Sequence, residues 1–188
     1  MTESTTVEPI VMDAIERYFA LLQAHVPAQQ MLDNVLTSDF ETGFADGFRW
    51  RGADGLAEFL ESRSVFFDES HEVLQLMNVT RPDESSIQAQ TRLRFFLRRY
   101  QPPAATSEEF TGQVWHTWRL RREPSEDRWR VAAQIVDGFA QLNDNAATLF
   151  GAPAEGLRTQ SETLADIEAR DLVQMSRVAE SMPGVRAR

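Results

Sequence analysis

Two stretches late in the chain alternate apolar and polar residues with a period of two, which is typical of β-strands. In the first stretch, one predicted face carries Phe110, Gly112, Val114, His116, Trp118 and Leu120. In the second, one predicted face carries Trp129, Val131, Ala133, Ile135, Asp137 and Phe139. Each face is otherwise apolar and holds a single ionisable side chain, His116 or Asp137. Because a buried carboxylate is costly unless it is paired, a functional site is the usual reason to keep one.

The same period extends backwards along the chain and predicts four long strands. Their predicted bounds are His71–Arg81, Ser86–Gln101, Glu109–Glu123 and Arg128–Leu142. The links between them are short and polar, so they predict antiparallel hairpins. In the second strand one face is apolar, and the other is polar and strongly basic.

Before residue 70 the spacing of apolar residues is helical. It predicts helices over Val7–Val26, Ala28–Leu36 and Ala53–Arg63, with a short strand over Asp39–Phe44 between the second and the third. Pro27 separates the first two helices, because proline ends one helix and suits the first turn of the next.

The tail differs from the rest of the chain. Glycines and a proline after residue 150 predict a linker, and a further amphipathic helix is predicted over Glu162–Met182. We therefore expect one α+β domain over residues 1–142 and a linker with a C-terminal helical extension over residues 143–188.

The amino-acid composition and net charge exclude several classes of partner and of chemistry. The chain has 188 residues, 42% of them hydrophobic, and a formal net charge of −10. That charge disfavours nucleic acid and anionic membranes as partners. The absence of cysteine excludes thiol chemistry, and three widely spaced histidines predict no metal site. No apolar run is long enough to span a bilayer, and no secretory signal is recognisable, so we expect a cytoplasmic protein.

This order of elements resembles the nuclear transport factor 2-like superfamily, especially its SnoaL-like branch. The residues that carry the resemblance are Tyr18-Phe19, Leu36-Thr37-Ser38-Asp39-Phe40, Arg51-Gly52-Ala53-Asp54-Gly55-Leu56, His71 and Asp127-Arg128-Trp129-Arg130-Val131. The resemblance implies a curved antiparallel sheet wrapped around the N-terminal helices as a cone, an apolar pocket inside it, and a homodimer. The C-terminal helix lies outside the resemblance.

The resemblance also implies a function class, within which alternatives stay open. The first is a lyase or isomerase without cofactor, which binds a small, largely apolar carbonyl compound and catalyses dehydration, isomerisation or cyclisation. The second is a non-catalytic ligand-binding or dimeric assembly module, and the third is a protein like a dioxygenase small subunit. Fold alone does not choose among them.

For the enzyme, His116 and Asp137 are the candidate catalytic residues, acting by proton transfer. Each also has a structural interpretation, His116 as a hydrogen-bonded core residue and Asp137 as a loop cap. Asp137 resembles, by position only, an acid/base aspartate of some SnoaL-type cyclases. Ketosteroid isomerases carry a catalytic aspartate where this chain has Phe44, which argues against their chemistry. The predicted pocket-lining residues are Tyr18, Phe44, Phe95, Val114, Trp118, Ile135 and Phe139.

Arginines crowd the predicted outer face of the sheet, at positions 92, 94, 98, 119, 121, 128 and 130. Like charges on adjacent strands repel, so this face should have acidic partners. The predicted C-terminal helix is rich in Asp and Glu. We therefore expect that helix to pack near the sheet of its own subunit or of a partner subunit.

Overall fold

The computed structural model describes residues 7–122 and 128–150. Its helices are α1 (Val7–Gln23), α2 (Ala28–Asn34), α3 (Gly52–Arg63) and α4 (Asp144–Phe150). Its strands are β1 (Leu36–Phe44), β2 (Arg49–Arg51), β3 (Phe66–Asp83), β4 (Ser86–Arg99), β5 (Glu108–Arg122) and β6 (Trp129–Ala140). The three predicted N-terminal helices and the four long strands are confirmed, with shifts of a few residues at their ends. β2 and α4 were not predicted.

The six strands form one sheet in the order β2-β1-β6-β5-β4-β3. The hairpins from β3 to β6 are antiparallel, as expected. β1, however, pairs with β6 in parallel, so the sheet is mixed and not wholly antiparallel. The parallel pair arises because β6, the last strand of the meander, lies beside β1, and it places the end of β1 beside the middle of β6.

The first helix packs against one face of this curved sheet, which we call the concave face; the opposite face is the convex face. Val11, Ile15, Tyr18 and Leu22 recur at helical spacing, and all are buried. They meet the inward side chains of β4, from Ile87 to Leu97, which alternate as the sequence predicts. Burial of these two apolar surfaces against each other forms the core.

α4 also belongs to this core. Ala146 and Ala147 are buried in it, and the ring of Phe150 stacks on that of Phe139 at a centroid distance of 4.7 Å. The Asn143 side chain caps α4, because its Oδ1 accepts a hydrogen bond from the backbone N–H of Ala146. α4 therefore packs with the core of the domain that the sequence predicts over residues 1–142. The predicted helix over Glu162–Met182 lies outside the described residues.

Two β-bulges in β6 overturn the face assignment made from alternation. Arg119 and Leu120 of β5 pair with Ala133 and Val131, so Ala132 is an extra residue. Each extra residue shifts all later side chains to the other face of the sheet. The prediction that six alternating residues of β6 share one face is therefore wrong.

The second bulge restores the predicted face at the end of the strand. Trp115 and His116 pair with Gly138 and Val136, so Asp137 is the extra residue. Between the two bulges the concave face carries Gln134 and Val136, and beyond the second it carries Phe139.

Acidic partners for most of the convex-face arginines come from other strands of the same sheet. The ion pairs are Arg94–Glu72, Arg98–Glu109, Arg119–Glu41 and Arg121–Asp39, with nitrogen–oxygen distances of 2.6–2.8 Å. Arg130 differs, since it is buried and donates to the carbonyl oxygens of Leu32 and Leu36. The sheet thus supplies much of the compensation that the sequence analysis assigned to the C-terminal helix.

Candidate functional site

A cavity of about 400 Å³ opens between the concave face, α1, α3 and α4. Its wall is mostly aromatic and aliphatic, and eight of the side chains that line it are Phe19, Phe44, Trp50, Phe59, Phe66, Phe95, Phe139 and Phe150. Polar side chains are few: Tyr18, Thr42, Ser62, Arg63, His71, Arg99, His116 and Gln134. Such a volume with a few convergent polar groups suits a small, largely apolar ligand.

Most of the predicted lining residues do line this cavity, namely Tyr18, Phe44, Phe95, Val114 and Phe139, together with His116. Trp118 and Ile135 do not. Trp118 is fully buried in the core beside Tyr18, where its indole N–H donates to Thr91 Oγ1 at 2.8 Å. Ile135 lies on the convex face, because the bulge at Ala132 turned it there.

Asp137 does not share the cavity with His116. Its Oδ2 accepts a hydrogen bond of 2.7 Å from Thr117 Oγ1, on the convex face. Burial raises the pKa of Asp137 to about 6, although the hydrogen bond from Thr117 and the charge of Arg49 lower it. The two candidate catalytic residues, His116 and Asp137, therefore do not face one cavity, and the bulge at Asp137 is the physical reason.

His116 is buried, 6% exposed, and its ring lines the cavity. It lies against Phe19 and Trp118, at centroid distances of 6.3 and 5.6 Å. Its Nδ1 is buried without a hydrogen-bond partner among the described residues. Burial, reinforced by the nearby charge of Arg63, lowers the pKa of His116 to about 3. The imidazole is therefore neutral at physiological pH and is not held by a carboxylate.

A second imidazole, His71, lines the same cavity. The ring of Phe19 stacks on it at 4.4 Å with an interplanar angle of 14°. Burial, followed by the charges of Arg63 and His116, holds the pKa of His71 well below its usual range. The alternation predicted that this strand begins at His71, and the residue otherwise entered only through the family resemblance. β3 begins at Phe66, so His71 lies inside the strand, and its pairing with Phe95 places it on the concave face.

Tyr18, Thr42 and Gln134 form a small polar group in the cavity wall. Thr42 Oγ1 donates to Gln134 Oε1 at 2.7 Å, and the Tyr18 hydroxyl lies 3.5 Å from the same oxygen. Burial raises the pKa of Tyr18, so its hydroxyl stays protonated and can donate a hydrogen bond. Gln134 reaches the cavity only because of the bulge at Ala132, which is why alternation alone could not find it.

Arg63 is a cationic group in the cavity wall whose charge acts on both histidines. Its guanidinium pairs with the carboxylate of Glu69, which is 1% exposed, and lies over the ring of Phe59 at 5.7 Å. His25 approaches the same carboxylate at 3.4 Å from outside the cavity. The pair keeps the charge of Arg63 in a fixed place, where it opposes protonation of both imidazoles.

Within the described ranges, no cluster of three or more His, Asp or Glu side chains has the arrangement of a metal site. In the same part of the chain, no helix has both the length and the apolar character needed to cross a membrane.

No family model matches the chain, and no curated protein matches its sequence. Solved structures do match. A candidate scytalone dehydratase from Novosphingobium aromaticivorans superposes with a TM-score of 0.62 at 15% identity, over 77% of this chain and 91% of that one. A nuclear transport factor 2-like superfamily protein from Salmonella enterica gives 0.57 at 16% identity, over 73% and 94%.

A hexachlorocyclohexane dehydrochlorinase gives a TM-score of 0.54 at 10% identity, over 74% of this chain and 92% of that one. At such identities the likeness concerns fold and not activity. The resemblance predicted from the sequence is confirmed at that level: the chain has the nuclear transport factor 2-like fold, in which a curved open sheet packs around its N-terminal helices.

Proposed function

We propose that the protein is a lyase or isomerase that binds a small, largely apolar carbonyl compound in this cavity and acts without a cofactor. The observation that carries the proposal is the position of His116, a neutral imidazole in an apolar cavity with no hydrogen bond to a described residue. A neutral imidazole can accept a proton, and general base catalysis by a positioned side chain typically contributes 10²–10⁴-fold to a rate.

His116 removes a proton from the carbon next to the substrate carbonyl. The electron pair of that C–H bond moves to the carbonyl oxygen, which becomes an enolate. The His71 imidazole and the Tyr18 hydroxyl are neutral hydrogen-bond donors in the wall, and they stabilise that oxygen. The enolate then either takes a proton at another carbon, which is isomerisation, or expels a leaving group from the neighbouring carbon, which is elimination.

The low pKa of His116 makes its protonated form costly. The enolate that forms at the same moment offsets this cost, because an opposite charge a few ångströms from the imidazolium stabilises it in a poorly solvated cavity. Arg63 contributes to the same balance, since it disfavours the imidazolium but stabilises the enolate. The cavity therefore stabilises the His116 imidazolium only while the enolate is present, so the proton is held briefly.

Asp137 has no part in this mechanism, because it lies on the convex face. Two proteins with the same fold are a candidate dehydratase and a dehydrochlorinase, and both names denote eliminations. They support the reaction class and name no substrate for this chain. The homodimer and the cytoplasmic location expected from the sequence stay predictions.

The test is a thermal-shift screen with small cyclic and aromatic carbonyl compounds, followed by NMR in D₂O. A bound substrate should raise the melting temperature and exchange the hydrogen next to its carbonyl for deuterium. His116→Gln should bind the compound and slow the exchange at least 100-fold. Binding without exchange in the wild type would reject the enzyme and support the non-catalytic binding module.

A further inference from the structure

Gln23, the last residue of α1, makes a contact that determines the chemistry of His71. Its amide Nε2 lies 3.1 Å from Nδ1 of the imidazole. An amide nitrogen carries two hydrogens and accepts none, so this contact is a hydrogen bond when Nδ1 is the acceptor. A neutral imidazole that accepts at Nδ1 carries its proton on Nε2, and this is the tautomer that fits the geometry.

The ring is also held in place by α1. Phe19 precedes Gln23 by four residues, so the two side chains lie on one face of the helix. Phe19 stacks on the imidazole at 4.4 Å while Gln23 bonds to its edge. Stacking fixes the plane of the ring, and the amide fixes which nitrogen faces α1. Together they leave Nε2–H as the donor of His71.

We propose that Gln23 is a positioning residue that holds His71 in the Nε2–H tautomer, so that His71 donates a hydrogen bond to the substrate oxygen and does not act as the base. This role rests on the proposed function. It gives the two imidazoles different roles: His71 donates a hydrogen bond, and His116, which has no comparable partner among the described residues, accepts the proton. It also specifies the substrate, which must present a hydrogen-bond acceptor such as a carbonyl oxygen to His71.

An acidic residue at position 23 would reverse the arrangement. A carboxylate only accepts hydrogen bonds, so it would draw the proton of His71 to Nδ1 and leave Nε2 as an acceptor. Gln23→Glu changes little in size and shape, which makes it a direct test. Gln23→Leu removes the contact without supplying the opposite one.

The experiment is two-bond ¹H–¹⁵N NMR of the histidine rings in the full chain at pH 7. The wild type should show His71 as the Nε2–H tautomer, Gln23→Leu a mixture, and Gln23→Glu the Nδ1–H tautomer or the imidazolium. Gln29→Glu is the matched control for the added charge, because Gln29 bonds to Asp33 on the exposed surface of α2. It should leave His71 unchanged.

An Nδ1–H tautomer of His71 in the wild type would overturn the proposal, as would an unchanged tautomer in both position-23 variants. This readout needs no substrate, so it is independent of whether the protein is an enzyme. With a substrate in hand, Gln23→Glu should lower kcat at least tenfold and change KM by less than threefold. Equal losses in Gln23→Glu and Gln29→Glu would reject a specific role for Gln23.

Discussion

Thr117 Oγ1 donates a hydrogen bond of 2.7 Å to Asp137 Oδ2, on the opposite face of the sheet from His116, the neighbour of Thr117 in β5. The two residues that the sequence singled out are thus separated by the thickness of the sheet. This contact gives Asp137 a structural role. The hydrogen bond from the Thr117 hydroxyl satisfies its buried carboxylate, so no ligand is needed to explain why an aspartate lies there.

Asp137→Asn should stabilise the protein above pH 6. Burial raises the pKa of the folded-state carboxyl to about 6, from an ordinary value of 3.8. The folded protein therefore binds more protons than the unfolded chain between these pH values. The stability contributed by the protonated carboxyl is present below pH 3.8 and is lost as the pH rises through about 6.

An asparagine keeps an acceptor for Thr117 and carries no charge. We expect an increase in the free energy of unfolding on the order of 1 kcal/mol at pH 8, and a much smaller one at pH 4. Urea unfolding at both pH values measures it. Thr117→Val is the companion variant, and it should destabilise, because it leaves the buried carboxylate without its donor. Destabilisation by Asp137→Asn at pH 8 would contradict this account.

How far the sequence determines this fold is clearest in β4 and β6. In β4 the alternating residues Ile87, Ala89, Leu93, Phe95 and Leu97 all belong to the core, so period alone assigned their face correctly. In β6 the same pattern misled, because Ala132 and Asp137 are bulged residues. A bulge depends on how a strand fits two neighbours at once, and β6 is paired to β5 and to β1. No local pattern of residue types carries that information.

The candidate site shows the same division. Tyr18, Phe95 and Val114 were placed correctly, because each lies on a helix or strand of regular period. Gln134 was missed and Ile135 misplaced, because both follow a bulge. The Gln23–His71 contact joins the end of α1 to β3 across 48 residues, and only the tertiary structure brings them together.

His116 should make the protein less stable in acid. Burial lowers its pKa from 6.5 to about 3, so the unfolded chain binds more protons than the folded protein in that range. The stability that the neutral His116 contributes is fully present above pH 6.5 and is lost as the pH falls from 6.5 towards 3. Between pH 6.5 and pH 4.5, we expect the free energy of unfolding of His116→Gln to fall by about 2 kcal/mol less than that of the wild type.

Comparing the wild type with His116→Gln isolates the effect of His116, because the other groups that make stability depend on pH are present in both proteins. His71 also lowers stability in acid, whereas Asp137 raises it as the pH falls below 6. Denaturant unfolding at closely spaced pH values gives the slope for each protein. Parallel curves for the wild type and His116→Gln would show that His116 is not held neutral by the fold.

Gly43 should tolerate no side chain. Its φ is +139°, and an added Cβ would lie 2.3 Å from the carbonyl oxygen of Phe48 and 2.8 Å from the Cα of Arg49. Both contacts are with backbone of the β1–β2 hairpin, which cannot move aside cheaply. We expect Gly43→Ala to cost more than about 3 kcal/mol of unfolding free energy.

Gly52 is the matched control for this substitution. Its φ is also positive, at +66°, but the nearest atom to an added Cβ is 4.0 Å away. Gly52→Ala therefore introduces strain from the positive φ but no steric clash. It should lower the free energy of unfolding by about 1–2 kcal/mol. Thermal or urea unfolding of both variants separates the two effects. Equal losses would mean that the hairpin relaxes around position 43.

Filling the cavity should abolish ligand binding and leave the fold intact. Val114 lines the cavity on β5 and is 3% exposed. Val114→Phe directs a larger side chain into open space, so the stability should change by less than about 1.5 kcal/mol. Any compound that raises the melting temperature of the wild type should then have no effect. A retained shift would place the ligand elsewhere on the protein.

Phe150 tests the same cavity from its α4 side. It lines the cavity, stacks on Phe139 at 4.7 Å and contacts Phe95 at 5.7 Å. Phe150→Ala removes one aromatic wall, which should lower stability by about 2 kcal/mol and widen the range of compounds that bind. Leu149→Ala is the milder neighbour for comparison, because that side chain is 37% exposed. If Phe150→Ala lost stability but bound the same compounds with the same affinities, α4 would support the core without shaping the site.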